Sequence, residues 1–196
     1  MAKKPSDEAL RHEAALAAET LRAGGILLYP TDTVWGLGCD ATNAEAVAKI
    51  YALKRSENKR SMLVLCASAD MVVRYIDRAP GIAFEVMEMA TSPLTLILPG
   101  ARGLAPNLIP DEGTLGVRIP DHDFCRQLLR TFGRPIVSTS ANLSGEATPV
   151  ALQDVAREIV DGTDFVVDPR FEGRPTRKAS SIIAFGEGGE VNIIRE

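Results

Sequence analysis

The chain has 196 residues, 45% of them hydrophobic and 24% charged, with 22 Lys and Arg against 26 Asp and Glu for a formal net charge of -4. That length and apolar share suit one compact domain over residues 1–196 whose core needs no disulfide or metal staple. The acidic balance argues against a protein whose main task is to coat nucleic acid with a basic surface. No run approaches the roughly 18 uncharged apolar residues of a membrane span, and the N-terminus lacks a signal peptide's apolar stretch, so a cytoplasmic protein with no membrane partner is expected.

Ser6 or Asp7 caps a covering helix over about residues 7–23, whose apolar positions include Leu10, Ala14, Ala17 and Leu21 and which closes at Gly24-Gly25. Residues 26–29 read as a buried strand, stopped by Pro30 and followed by a polar, glycine-punctuated loop, PTDTVWGLG. Asn43 caps a helix over 44–53 with Ala46, Val47, Ile50 and Leu53 as its stripe, and a cationic segment from Lys54 to Arg60 follows. Then come a strand over 62–66, helices over about 69–77 and 81–90, and a strand over 94–98. The proline-interrupted stretch 99–113 reads as a surface loop with the makings of a lid. A strand over 115–119, a helix over 123–131 and a strand over 135–138 lead into the small polar run TSANLSG. A helix over 152–160 and strands over 165–167, 181–184 and 191–194 finish the chain. The pattern predicts an α/β or α+β single domain with a mixed parallel and antiparallel sheet and flanking helices, because the last strands arrive without long crossovers.

The chemistry is carried by polar segments at strand ends. Cys39, Cys66 and Cys125 are isolated and odd in number, and His12 and His122 lie far apart, so a disulfide framework, a zinc site and a histidine triad have little to build on. Thr31 and Thr33, two apart, share a face of an extended chain as substrate contacts, although a tight turn with Asp32 bonding its own backbone fits the same residues. Ser138, Ser140 and Asn142 repeat that spacing and suit phosphate or ribose, or simply a self-satisfied serine turn. Arg118, at the end of an apolar strand, demands an anionic partner, either a ligand or a structural carboxylate. The cationic segment is an anion site or a solvated loop. No P-loop and no G-x-G-x-x-G occur, so residues alone lead to an anion-binding pocket and no further.

Taken together, YPTDTVWGLGCDATN, IYALKRSENKRSMLVL, SPLTLILPG, LGVRIPDH, PIVSTSANLSGEATP and KASSIIAF resemble, in order and spacing, the YrdC-like family from about Gly24 to the C-terminus, in its short single-domain form. The resemblance implies a twisted mixed sheet around a large basic cavity. It implies synthesis of threonylcarbamoyl-adenylate from L-threonine, bicarbonate and ATP with Mg²⁺, serving tRNA modification together with partner proteins. By position it implies catalytic roles for Lys54, Thr33 and Arg118, and threonine contacts from Thr31, Thr33, Ser138 and Ser180. ATP would be held by Lys54, Arg55, Asn58, Arg60, Arg118, Ser140 and Asn142, with no protein-only metal site. Ser56 stands where the family has arginine, and Arg60 where it has a second lysine. The rival from another class is a non-catalytic module that makes an RNA contact through a basic concavity, which the net charge and the 5% aromatic content disfavour.

Overall fold

A computed structural model describes residues 5–56 and 62–196. Helix α1 (Asp7–Arg22) starts where the Ser6 hydroxyl accepts from the Ala9 amide. Strands β1 (Leu27–Pro30) and β2 (Trp35–Gly38) follow, then α2 (Ala44–Lys54), whose first amides are capped by Asn43. The chain continues through β3 (Leu63–Leu65), α3 (Ala69–Tyr75), α4 (Gly81–Met89), β4 (Leu94–Pro99), β5 (Thr114–Arg118), α5 (Asp123–Phe132) and β6 (Ile136–Ser140). It ends with α6 (Arg157–Asp161), β7 (Phe165–Val166), β8 (Ser181–Phe185) and β9 (Val191–Arg195).

The described strands form one nine-stranded mixed sheet in the order β7-β1-β2-β6-β3-β5-β4-β8-β9. The β1/β7, β3/β5 and β4/β8 pairs are parallel and the other five antiparallel. Successive strand side chains point to opposite faces, so both faces are buried only where a strand is apolar throughout. Leu28, Val64, Leu96 and Val117 enter one core with Val47 and Ile50 of α2. Leu27, Tyr29, Leu65 and Ile136 enter the other, under α1 and α5. Alanines 14, 17 and 18 let α1 lie close against Phe124, Leu128 and Leu129 of α5. Among the described residues no helix is long and apolar enough to cross a membrane.

Two expected elements differ. The segment PTDTVWGLG is not all loop, because Trp35–Gly38 is a strand paired with both β1 and β6. Its glycines hide it from a propensity reading yet permit the pairing: a Cβ on Gly38 would lie 2.7 Å from Tyr29 Cε1 and 2.8 Å from the Val137 carbonyl. The helix expected over 152–160 is broken into a 3-10 turn at Leu152–Asp154 and the short α6. The Asp154 carboxylate accepts from the Ala151 amide and so closes a local turn, after which Val155 and Ala156 are extended.

Candidate active site

The ends of β1, β5 and β6, one face of β4 and β8, and the last residue of β9 enclose a cavity of about 480 Å³. Thr31, Thr33, Arg118, Ser138, Ser140 and Ser180, expected at a ligand site, all line it. The turn after Pro30 gathers the first of these. Thr31 Oγ1 accepts from the amides of Thr33 and Val34 and donates to the Val34 carbonyl at 2.7 Å. Thr33 Oγ1 lies 2.8 Å from Thr31 Oγ1, and Arg118 donates to Thr33 Oγ1 at 3.1 Å. A hydroxyl has one proton, and that of Thr31 goes to the Val34 carbonyl, so Thr33 donates to Thr31. Thr33 therefore offers a substrate its remaining lone pair and no proton, which suits an amine or hydroxyl donor.

Arg118 is buried, and so is the carboxylate that neutralises it: Asp32 Oδ1 lies 3.1 Å from its Nη2. Both anticipated partners of this guanidinium are thus compatible, since a structural carboxylate holds one edge while the side chain still lines the cavity. Arg118 Nε is buried without a hydrogen-bond partner among the described residues, which leaves one charged donor unspent. The Asp121 amide donates to Asp32 Oδ2, and the Thr176 and Arg177 amides donate to the carbonyls of Asp32 and Thr33, so the turn is fixed from two further segments.

Beneath Asp32, His122 caps α5 by accepting from the Cys125 amide at Nδ1, which leaves Nε2 as the donor to the Glu172 carbonyl at 3.0 Å. Burial pulls the His122 imidazole below its ordinary 6.5. Burial likewise pushes the thiols of Cys39, Cys66 and Cys125 well above the usual range, so these are inert packing groups.

The opposite wall holds residues that the sequence did not single out. Thr95 and Ser180 share a buried 2.7 Å hydrogen bond, and Arg195 donates through Nε and Nη2 to the Ser180 carbonyl at 2.9 and 2.6 Å. Thr114, Thr139 and Thr148 add further hydroxyls. The loop 99–113 is not free over most of its length: Ala105 N donates to the Ala41 carbonyl, Asn107 Nδ2 to that of Ala44, and Tyr51 Oη to that of Asn107. Pro110 and Glu112 reach the cavity. Among the described residues the wall's charges are Arg118, Arg195 and Glu112, so its character is set by hydroxyls.

Three expected ATP contacts stand elsewhere. Lys54, buried at the end of α2, does not line the cavity; its ammonium donates to the Ser140 and Asn142 carbonyls, both at 2.6 Å. Asn142 does not line it either, as its Nδ2 donates to the carbonyls of Leu143 and Glu146. Arg55, left-handed at φ 52°, turns its guanidinium to Glu158 at 2.7 Å on the surface. The fourth and fifth, Asn58 and Arg60, lie outside the described residues. Among the described residues no group of three or more His, Cys, Asp or Glu is placed to hold a metal ion.

A family model for Sua5, YciO and YrdC, described as telomere recombination, matches residues 19–196. The chain belongs to the Sua5/YciO/YrdC family. Within it, a Marinobacter nauticus protein named threonylcarbamoyl-AMP synthase is 36% identical over 171 residues, covering 86% of this chain and 89% of the relative. The crystal structure of P. abyssi Sua5 complexed with L-threonine superposes with a TM-score of 0.82 at 26% identity, over 89% of this chain but only 51% of that one, so the chain spans about half of Sua5. E. coli YciO shares the fold, with a TM-score of 0.78 at 22% identity over 95% of this chain and 89% of its own. Of the wall residues missed in the sequence, Thr95 carries one faint signal, as the lone polar residue of the apolar strand β4, whereas Arg195 shares β9 with Asn192.

Proposed function

We propose that the cavity is the catalytic site of an L-threonylcarbamoyladenylate synthase, which converts L-threonine, bicarbonate and ATP to threonylcarbamoyl-AMP and pyrophosphate. The observation that carries this reading is the convergence of Thr31, Thr33, Arg118, Ser138, Ser140 and Ser180 on one cavity of about 480 Å³, within the ordinary range for small-molecule sites. Relatives named threonylcarbamoyl-AMP synthase and a threonine-bound Sua5 structure support it over RNA binding, as does a wall rich in hydroxyls rather than cations.

In this reaction the amine of threonine attacks CO₂, forming an N–C bond and releasing a proton, or attacks bicarbonate, forming the same bond with loss of water. A carbamate oxygen then attacks the α-phosphorus, and the bond to pyrophosphate breaks. Neither step calls for a protein nucleophile; positioning and neutralisation of charge suffice. Thr33, with an acceptor to spare, orients the threonine amine or hydroxyl, and the positive charge of Arg118 in the cavity wall attracts an anionic oxygen of the substrates. Hydroxyls of Ser138, Ser140 and Ser180 complete the cradle. Mg²⁺ is read as arriving on the phosphates of ATP, held by their oxygens and water. The product would be consumed by tRNA-modification partner proteins in the cytoplasm.

The test is incubation of the purified protein with L-threonine, bicarbonate, Mg²⁺ and ATP, with pyrophosphate release followed alongside mass spectrometry of the adenylate. Threonine-dependent pyrophosphate and the expected mass are the predicted result. RNA binding with steep salt dependence and no ATP turnover would sink the proposal in favour of the non-catalytic reading.

A further inference from the structure

We infer that Lys54 is a positioning residue: its ammonium fixes the Ser138–Asn142 wall from behind, through the carbonyls of Ser140 and Asn142, and makes no contact with ATP. The inference deepens the synthase reading and rests on it only for the identity of the ligands. Its grounds are geometric. Lys54 is 4% exposed and absent from the cavity wall, whereas Ser138, Thr139 and Ser140, the residues in front of it, all line that wall.

Two of the three ammonium protons are committed to carbonyls at 2.6 Å, shorter than an ordinary N–H···O bond and in the range of charge-assisted ones. A reciprocal bond returns, the Ser144 amide donating to the Lys54 carbonyl at 2.9 Å. The end of α2 and the turn after β6 are therefore stitched together in both directions. For the ammonium to swing onto a phosphate, both carbonyls would lose their partner, and the turn carrying Ser140 would lose its anchor in α2.

The rest of the wall depends on the same stitch. Ala141 N donates to the Trp35 carbonyl at 3.1 Å, and Gly36 is paired with Ser140, so a shift of residues 140–142 is passed to β2 and to the turn that carries Thr31 and Thr33. No carboxylate among the described residues pairs with Lys54, so its charge is spent on aligning carbonyl dipoles. Both substrates, and not ATP alone, are then expected to sense its removal.

Hydrogen exchange of the ligand-free protein tests this directly. In Lys54→Met, amides of residues 138–144 should exchange about tenfold faster than in the wild type, while the KM values for ATP and threonine rise by similar factors. Wild-type exchange in the ligand-free variant, together with a rise in the ATP KM alone, would overturn the inference. A second measurement needs no variant: limited acylation of the wild-type protein should leave the Lys54 amine unmodified with or without ATP. Modification of the free protein that ATP blocks would show a direct ligand instead. Exchange and acylation are read without turnover, so failure of the synthase assay leaves this result standing.

Discussion

Arg118 and Lys54 are equally buried, at 4% exposure, yet they are held by different means. The planar fork of Arg118 meets a carboxylate at Nη2 and a hydroxyl at Nη1, while the side chain also lines the cavity. The compact ammonium of Lys54 meets two backbone carbonyls among the described residues, and Lys54 is not part of the cavity wall. A fork can be half structural and half functional because its donors diverge in a fixed plane, whereas a point charge goes where its few acceptors are. The comparison shows that a buried cation near a site is not by itself a ligand contact; what its donors already meet, and whether it lines the cavity, decide.

The strongest way to break this contrast is to remove the fork. Arg118→Met should cost about 3–5 kcal/mol of stability by leaving Asp32 buried without a partner, and it should abolish adenylate formation. Urea unfolding measures the first effect, and an Arg118→Met, Asp32→Leu double variant should recover most of the stability without the activity. Retention of full stability in the single variant would mean that the ion pair is not a structural unit.

A smaller effect comes from pH. Because His122 is held below 6.5 in the folded protein, the unfolded chain binds a proton first as pH falls, so stability is complete above about 6.5 and declines below it. His122→Gln should flatten that decline in thermal unfolding between pH 7 and 5, after allowance for the intrinsic cost of the lost helix cap, about 1 kcal/mol. The smallest expected change is at Arg55, next to Lys54 in sequence but on the surface. Its pair with Glu158 is exposed on both sides, so Arg55→Ala should shift the unfolding free energy by less than about 1 kcal/mol. A larger loss would sharpen the contrast by showing that the end of α2 needs both basic residues.

Much of this was legible in the sequence for stated reasons. Caps at Ser6 and Asn43, the apolar stripes of α1, α2 and α5, and the uninterrupted apolar strands all follow from local side-chain chemistry, and the structure has them. Ser138 and Ser140 reach the cavity two apart on β6, because an extended chain repeats every two residues, whereas Thr31 and Thr33 reach it from the turn after Pro30. Strand β2 was not legible, since two glycines in four residues read as a loop until Tyr29 and Val137 show why no side chain fits. The direction taken by Lys54 was equally hidden: its acceptors come from residues 140 and 142, and nothing local to α2 announces them. Thr95 and Arg195 were missed because their partner, Ser180, is distant in sequence from the first of them and separated from the second by a hairpin.

The cavity wall begins at Thr31 and ends at Arg195, and β3, β5 and β6 interleave in the middle of the sheet. Such a layout has high contact order, so loop-closure entropy must be met before the long-range pairings return anything. During synthesis, the β1–β2 hairpin leaves the ribosome with its threonines long before β8 and β9 supply Ser180 and Arg195. A nascent chain therefore has no substrate site to occupy, and ligand cannot chaperone the early steps; it can only stabilise the finished sheet.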